Sequence, residues 1–268
     1  MQAIYDGVPD HQVKGWLKQR GAAYINLVDP EAARALHNSG RIDSNYILKT
    51  PNQVSARRVS ANANQAAAAA EYMGANYSTM RNFELGIESL LRDLTPTTET
   101  GSYKRFEAAF EKLGFILGFD SSRPDNETGI GPDNLWAIGG GQFWVLEAKS
   151  ESSVPTVKRD YLEQLSHSAD WFDSEYANNL ATQVPILIHP SRTPHWDAVP
   201  RQGARAMTFE RLAELRTAVH GFATALESGE RYRDAAAVEA NLRQFHLNAG
   251  ALKEKWTQDF LAPAAQTS

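Results

Sequence analysis

Asp133, Glu147 and Lys149 are the residues of this chain whose types and spacing could do chemistry together. Asp133 follows a Gly131-Pro132 turn and opens the run Asn134-Leu135-Trp136-Ala137-Ile138. Three glycines, Gly139-Gly140-Gly141, then turn the chain back into Gln142-Phe143-Trp144-Val145-Leu146-Glu147-Ala148-Lys149. Aromatic and branched runs bounded by glycines are the signature of a β-hairpin. Side chains alternate along a strand, so Phe143, Val145, Glu147 and Lys149 fall on one face and Trp144, Leu146 and Ala148 on the other. The run is apolar enough to be buried on both faces, where a lone carboxylate or ammonium is costly. Two readings are open. One is a structural Glu147–Lys149 ion pair at a strand end; the other, which takes in Asp133 on the partner strand, is a pair of mutually repelling carboxylates held together by a hard divalent cation.

The flanking sequence supplies elements to position these groups. Phe106, Phe110 and Leu113 recur at helical spacing, which predicts a helix over 103–113 that stops at Gly114, and 115–119 can supply a first strand. After Lys149 a proline-bearing loop leads to a helix over 158–176 that buries Leu162, Leu165, Ala169 and Phe172. A short buried strand over 184–188 follows, ended by Pro190.

In this setting Pro132-Asp133, thirteen intervening residues and Glu147-Ala148-Lys149 resemble the PD-(D/E)xK nuclease superfamily, whose fold is that of type II restriction endonucleases. The resemblance covers roughly residues 100–190. It implies an α/β fold with a restriction-endonuclease-like core of helix, three-strand meander, helix and strand, here with an N-terminal helical region and C-terminal helices. It also implies that Asp133 and Glu147, with the backbone carbonyl of Ala148, ligate Mg²⁺ or Mn²⁺. Lys149 would then hold or activate the attacking water and counter charge on the scissile phosphate. On the first helix Glu107, favoured over Glu111 because it lies nearer the apolar stripe, would support the metal's water; pairing of these acids with Arg105 or Lys112 is the alternative. Gln164 resembles a polar residue that several branches place near the site, and shares a face with His167 and Trp171 that lines either a substrate groove or an interface. The wording Gly-Pro-Asp-Asn-Leu-Trp also resembles a nuclease-like domain at the C-terminal end of bacterial DEAD/DEAH-type helicases associated with phage defence, which implies a helicase or ATPase partner.

Composition bounds the rest. The 268 residues carry no cysteine, which excludes disulfides and thiolate zinc sites. No Lys-Ser/Thr follows the glycine triplet at the required spacing, so it is not a Walker A loop. No run approaches the roughly 18 apolar residues of a membrane span, and the first residues lack a signal-peptide pattern, so the expectation is a cytoplasmic protein without a membrane partner. A net charge of −5 is unusual for a freestanding nucleic-acid binder. Lys104, Arg105, Lys112, Arg123, Lys158, Arg159, Arg192, Arg201 and Arg205 are the basic groups around the core, and weak intrinsic binding with grip from a partner is expected. Two domains are expected: a helical N-terminal region or connector over 1–96, then a linker and the nuclease-like domain over 97–268, with an edge strand at 205–208 and helices over 209–226 and 231–247. The leading function is a divalent-metal-dependent DNA endonuclease. A catalytically silent nuclease-fold assembly module, and a ribonuclease or structure-specific resolvase, are the alternatives.

Overall fold

The computed structural model describes residues 8–25, 28–44, 57–176 and 180–265. In chain order the elements are α1 (His11–Ile25), α2 (Pro30–Asp43), α3 (Gln65–Asn76), α4 (Met80–Asp93), α5 (Tyr103–Ile116), β1 (Asp120–Ser122), α6 (Pro124–Thr128), β2 (Asn134–Gly139), β3 (Gln142–Ala148), α7 (Arg159–Glu175), β4 (Thr182–His189), β5 (Arg205–Thr208), α8 (Phe209–Glu227), a 3-10 turn (Ser228–Arg233), α9 (Ala235–Gln244), α10 (Ala249–Trp256) and β6 (Gln258–Asp259). They form two compact units, one of residues 1–57 with 124–130 and one of residues 58–123 with 131–268.

In the smaller unit, α1 and α2 each begin behind an aspartate that holds a free amide: Asp10 accepts from Gln12 at 2.8 Å and Asp29 from Ala32 at 3.0 Å. The helices are pinned by Lys18, 5% exposed, whose Nζ lies 2.5 Å from Asp43 Oδ2 and 2.7 Å from Ser39 Oγ. That hydrogen bond holds the Asp43 carboxyl below the usual carboxylate range.

The larger unit is built on a six-stranded mixed sheet in the order β1 to β6. β1, β2 and β3 are antiparallel neighbours, β3, β4 and β5 run parallel, and β6 pairs antiparallel with β5. The parallel step from β3 to β4 requires a crossover, which α7 provides. Side-chain alternation sorts the hairpin between two layers: Trp136, Ile138, Trp144 and Leu146 pack with α3, α4, α5, α8, α9 and α10, and Leu135, Ala137, Phe143 and Val145 pack against Phe172 of α7 and Tyr176 just after it. The result is a mixed α/β fold with helices on both faces of an open sheet. No helix among the described residues is long and apolar enough to cross a membrane.

Several expected boundaries move. α5 does not stop at Gly114 but runs to Ile116, and the first strand is Asp120–Ser122 rather than 115–119. Gly114 serves close packing instead: a Cβ there would lie 2.8 Å from both Ser121 Cβ and Trp136 Nε1. The helix ends at Gly118, whose φ of 82° permits a Schellman turn, with Phe119 N bonded to Gly114 O and Gly118 N to Phe115 O, both at 2.9 Å. β5 is not at the edge, because β6 covers it. The helix expected over 231–247 is broken at Asp234, which caps α9 by accepting from Ala236 N at 2.9 Å. The division expected at 96/97 falls at 57/58, because Ala69, Met73, Phe83, Ile87 and Leu90 of α3 and α4 belong to the same core as Phe110 and Trp136. Within the region expected over 1–96, residues 1–7, 26–27 and 45–56 lie outside the described residues.

Gly118 and Gly140 separate backbone strain from steric overlap. Both have positive φ, but a Cβ at Gly118 would meet the Gln65 carbonyl oxygen at 1.9 Å, whereas one at Gly140 meets open space. Gly118→Ala is expected to destabilise by about 3 kcal/mol or more and Gly140→Ala by about 1 kcal/mol. Urea midpoints at unchanged slope measure both; equal losses would contradict the packing argument.

Candidate functional site

The turn through Gly131, with φ of 105°, delivers Pro132-Asp133 to the start of β2. Asn134 stands opposite Leu146 in the hairpin register, so Asp133 reaches the far end of β3. There its Oδ2 accepts a hydrogen bond from Ala148 N at 2.8 Å. In a strand the N–H and C=O of one residue leave on the same edge, so the Ala148 carbonyl is directed to the Asp133 side as well.

Glu147, 6% exposed, points to the α7 face of the sheet. Its Oε1 accepts from Ser168 Oγ at 2.6 Å, and its Oε2 lies 3.4 Å from Lys149 Nζ. The first contact is short and charge-assisted, whereas the second is longer than a good ammonium–carboxylate bond. Burial pushes the Glu147 carboxyl up to about 7, and the Asp133 charge adds to that push; Lys149 and the Ser168 hydrogen bond counter them only in part. Even with an ammonium beside it, the carboxylate pair is short of positive charge.

Lys149 emerges just past β3, where its backbone N–H donates to Ile188 O at 2.9 Å and its ammonium stands 5.6 Å from the Tyr161 ring centroid. Glu107 lies near the start of β2, its backbone carbonyl accepting from Asn134 Nδ2 at 3.0 Å. Its carboxylate is bound by Arg123 at 2.6 Å, a partner other than the expected Arg105 or Lys112. Glu111 lies instead by Tyr72, whose phenol is pushed up first by burial and then by that charge. Gln164 is exposed on α7, and the hydroxyl one turn later, Ser168, is what meets the buried carboxylate.

The structure thus brings Asp133, Glu147, Ala148 and Lys149 together at one end of the hairpin, holds Glu107 in an ion pair with Arg123, and leaves Gln164 at the surface. Ser168 was missed, although it was legible as the one small polar residue on the buried stripe of Leu165, Ala169 and Phe172. Arg123 carried no such signal, since only the fold brings it to Glu107. No group of three or more histidine or acidic side chains that could hold a metal occurs among the described residues. Two carboxylates and a carbonyl are nonetheless a donor set suited to a hard divalent ion that keeps several waters. No protein-family model, curated protein or solved structure matches the chain.

The state of Glu147 makes a pH prediction. Its folded pKa lies above the ordinary 4.5, so the folded protein holds this proton more tightly and its contribution to stability falls as pH rises from there to about 7. Without metal, Glu147→Gln is expected to match the wild type at about pH 5 and to exceed it at about pH 8 by on the order of 1–3 kcal/mol. The His189 imidazole, held below its ordinary value by burial, loses stability in the opposite direction as pH falls, and does so in both proteins. Thermal melts in EDTA at the two pH values read the difference; a gap that does not grow with pH contradicts the assignment.

Proposed function

We propose that this chain is a divalent-metal-dependent nuclease that hydrolyses phosphodiester bonds of DNA, on a restriction-endonuclease-like core. The observation that carries the reading is the buried Glu147 carboxylate, raised to about 7 beside Asp133, with the Lys149 ammonium at 3.4 Å. The succession of α5, the antiparallel β1–β2–β3, the crossover α7 and the parallel β4 supports it, since this is the order that the resemblance implies.

Asp133, Glu147 and the Ala148 carbonyl would hold Mg²⁺ or Mn²⁺, which supplies a Lewis acid for the phosphoryl group and lowers the pKa of water. The chain's own groups do the rest. Asp133 Oδ2 is fixed by the Ala148 amide, which leaves Oδ1 as its ligand atom. Ser168 fixes Oε1 of Glu147, so that Oε2 is the oxygen shared with the Lys149 side. Lys149 donates hydrogen bonds to phosphoryl oxygens or to the attacking water, where charge grows in the transition state. Glu107, held by Arg123, would act through solvent rather than as a direct ligand. No Ser, Cys or His nucleophile is needed.

A second reading, a silent nuclease-fold module in a helicase-linked defence assembly, draws on the net charge of −5. Incubating the purified chain with single- and double-stranded DNA and with RNA, in Mg²⁺, Mn²⁺ or EDTA, decides between them. Metal-dependent cleavage is expected, reduced on the order of a hundredfold or more by Glu147→Gln and by Lys149→Ala. Activity that survives both substitutions sinks the proposed site; absence of cleavage by the wild type favours the silent module. The RNA arm tests the ribonuclease alternative.

A further inference from the structure

Beyond Lys149 the same end of the sheet continues into a strip of aromatic and cationic side chains that the proposed chemistry does not use. Tyr161, in the first turn of α7, has Lys149 Nζ at 5.6 Å and Lys158 Nζ at 5.7 Å from its ring centroid. The His189 ring lies 5.8 Å from it, with Nε2 3.3 Å from Ser152 Oγ. The loop that follows β4 is fastened to this edge: Val157 N donates to Thr193 O and His195 N to Val157 O, both at 2.8 Å. On its far side the loop is anchored by Ala198, fully buried with Val157, Leu162 and Leu187.

Between those anchors stands Trp196, 48% exposed. The neighbouring His195 ring is 5.7 Å away, and His195 Nδ1 engages Asp197 Oδ1 at 2.5 Å, so the nearest acid in the sequence is already partnered. Lys158 makes no ion pair among the described residues, whereas the adjacent Arg159 is taken by Glu163 at 2.6 Å. A large half-exposed aromatic side chain on a loop pinned to Val157, the residue before Lys158, has with that ammonium the composition of a nucleobase-stacking platform with a phosphate contact. Bases offer their faces for stacking only when unpaired.

We propose that Trp196 stacks an unpaired nucleobase while Lys158 contacts the adjoining phosphate, so that a single strand is led past Tyr161 and Lys149 to the Asp133–Glu147 pair. The proposal rests on the nuclease reading and narrows its substrate to single-stranded nucleic acid or to the unpaired arm of a branched one. A protein partner covering Trp196 is the competing occupant, and the two ammonium groups about the Tyr161 ring, Lys149 and Lys158, favour the polyanion.

The test separates binding from cleavage. In a Glu147→Gln background with EDTA, fluorescence anisotropy measures the affinity of the full chain for a labelled short oligo-dT and for a blunt duplex. Oligo-dT is expected to bind more tightly than duplex, and Trp196→Ala to weaken oligo-dT binding about tenfold with little effect on duplex. Trp196→Phe, which keeps a stacking face, should retain most of the affinity. Lys158→Ala should weaken both ligands and flatten the salt dependence. Unchanged oligo-dT affinity in Trp196→Ala, equal losses for single strand and duplex, or no oligo-dT binding by the parent overturns the platform. Loss of cleavage with this binding pattern intact would instead count against the metal site alone.

Discussion

Glu147 is buried to 6% exposure beside a second acid, an arrangement that costs free energy in any fold and has to be offset by its surroundings. The groups that offset it come from different elements: Ser168 from α7, Lys149 from the end of β3, and the Ala148 amide, which holds Asp133 from across the hairpin. The register of β2 on β3 is therefore a condition of the site, since a slip of one residue would turn Glu147 into the aromatic layer and Trp144 out of it. That register is secured by Trp136 and Trp144, which face each other across the strands and stack at 5.7 Å, with Phe110 of α5 stacked on Trp136 at 4.8 Å. The aromatic core on one face thus determines where the carboxylate lies on the other.

The elements nearest the site were the most legible in the sequence, because their periodicities are strong. The glycine-bounded hairpin, the stripe of Leu162, Leu165, Ala169 and Phe172, and the apolar run of β4 each announce one structure at one spacing. What was not legible depended on contacts distant in sequence. Gly114 reads as a helix stop until the approach of Ser121 and Trp136 is known. Helices α3 and α4 read as a separate region because nothing local says that Met73 and Phe83 share a core with Phe110 and Trp136. At the site, the face of α7 bearing Gln164 and His167 looked functional because it is polar, yet a polar face is what solvent also selects. A single hydroxyl within the apolar stripe, Ser168, was the more informative departure.

Most of the basic residues around the core can be traced to acidic partners. Arg105 is bound to Glu99, Arg123 to Glu107, Arg159 to Glu163, Arg201 to Asp170 and Asp173, and Arg205 to Asp259. Much of the basic group around the core is therefore engaged locally and does not form a continuous stripe. Sequence-blind grip through phosphates would be weakened accordingly. This gives more weight to the cations without such partners, Lys158 above all.

Charge balance at the site points the same way. Asp133 and Glu147 contribute two negative charges when ionised and Lys149 one positive, so the trio is one charge negative. A phosphodiester, itself an anion, would be repelled from it. A divalent ion held by Asp133 and Glu147, as proposed, would reverse that sign. It would also offset the push that the Asp133 charge adds to the Glu147 pKa, the second cause after burial.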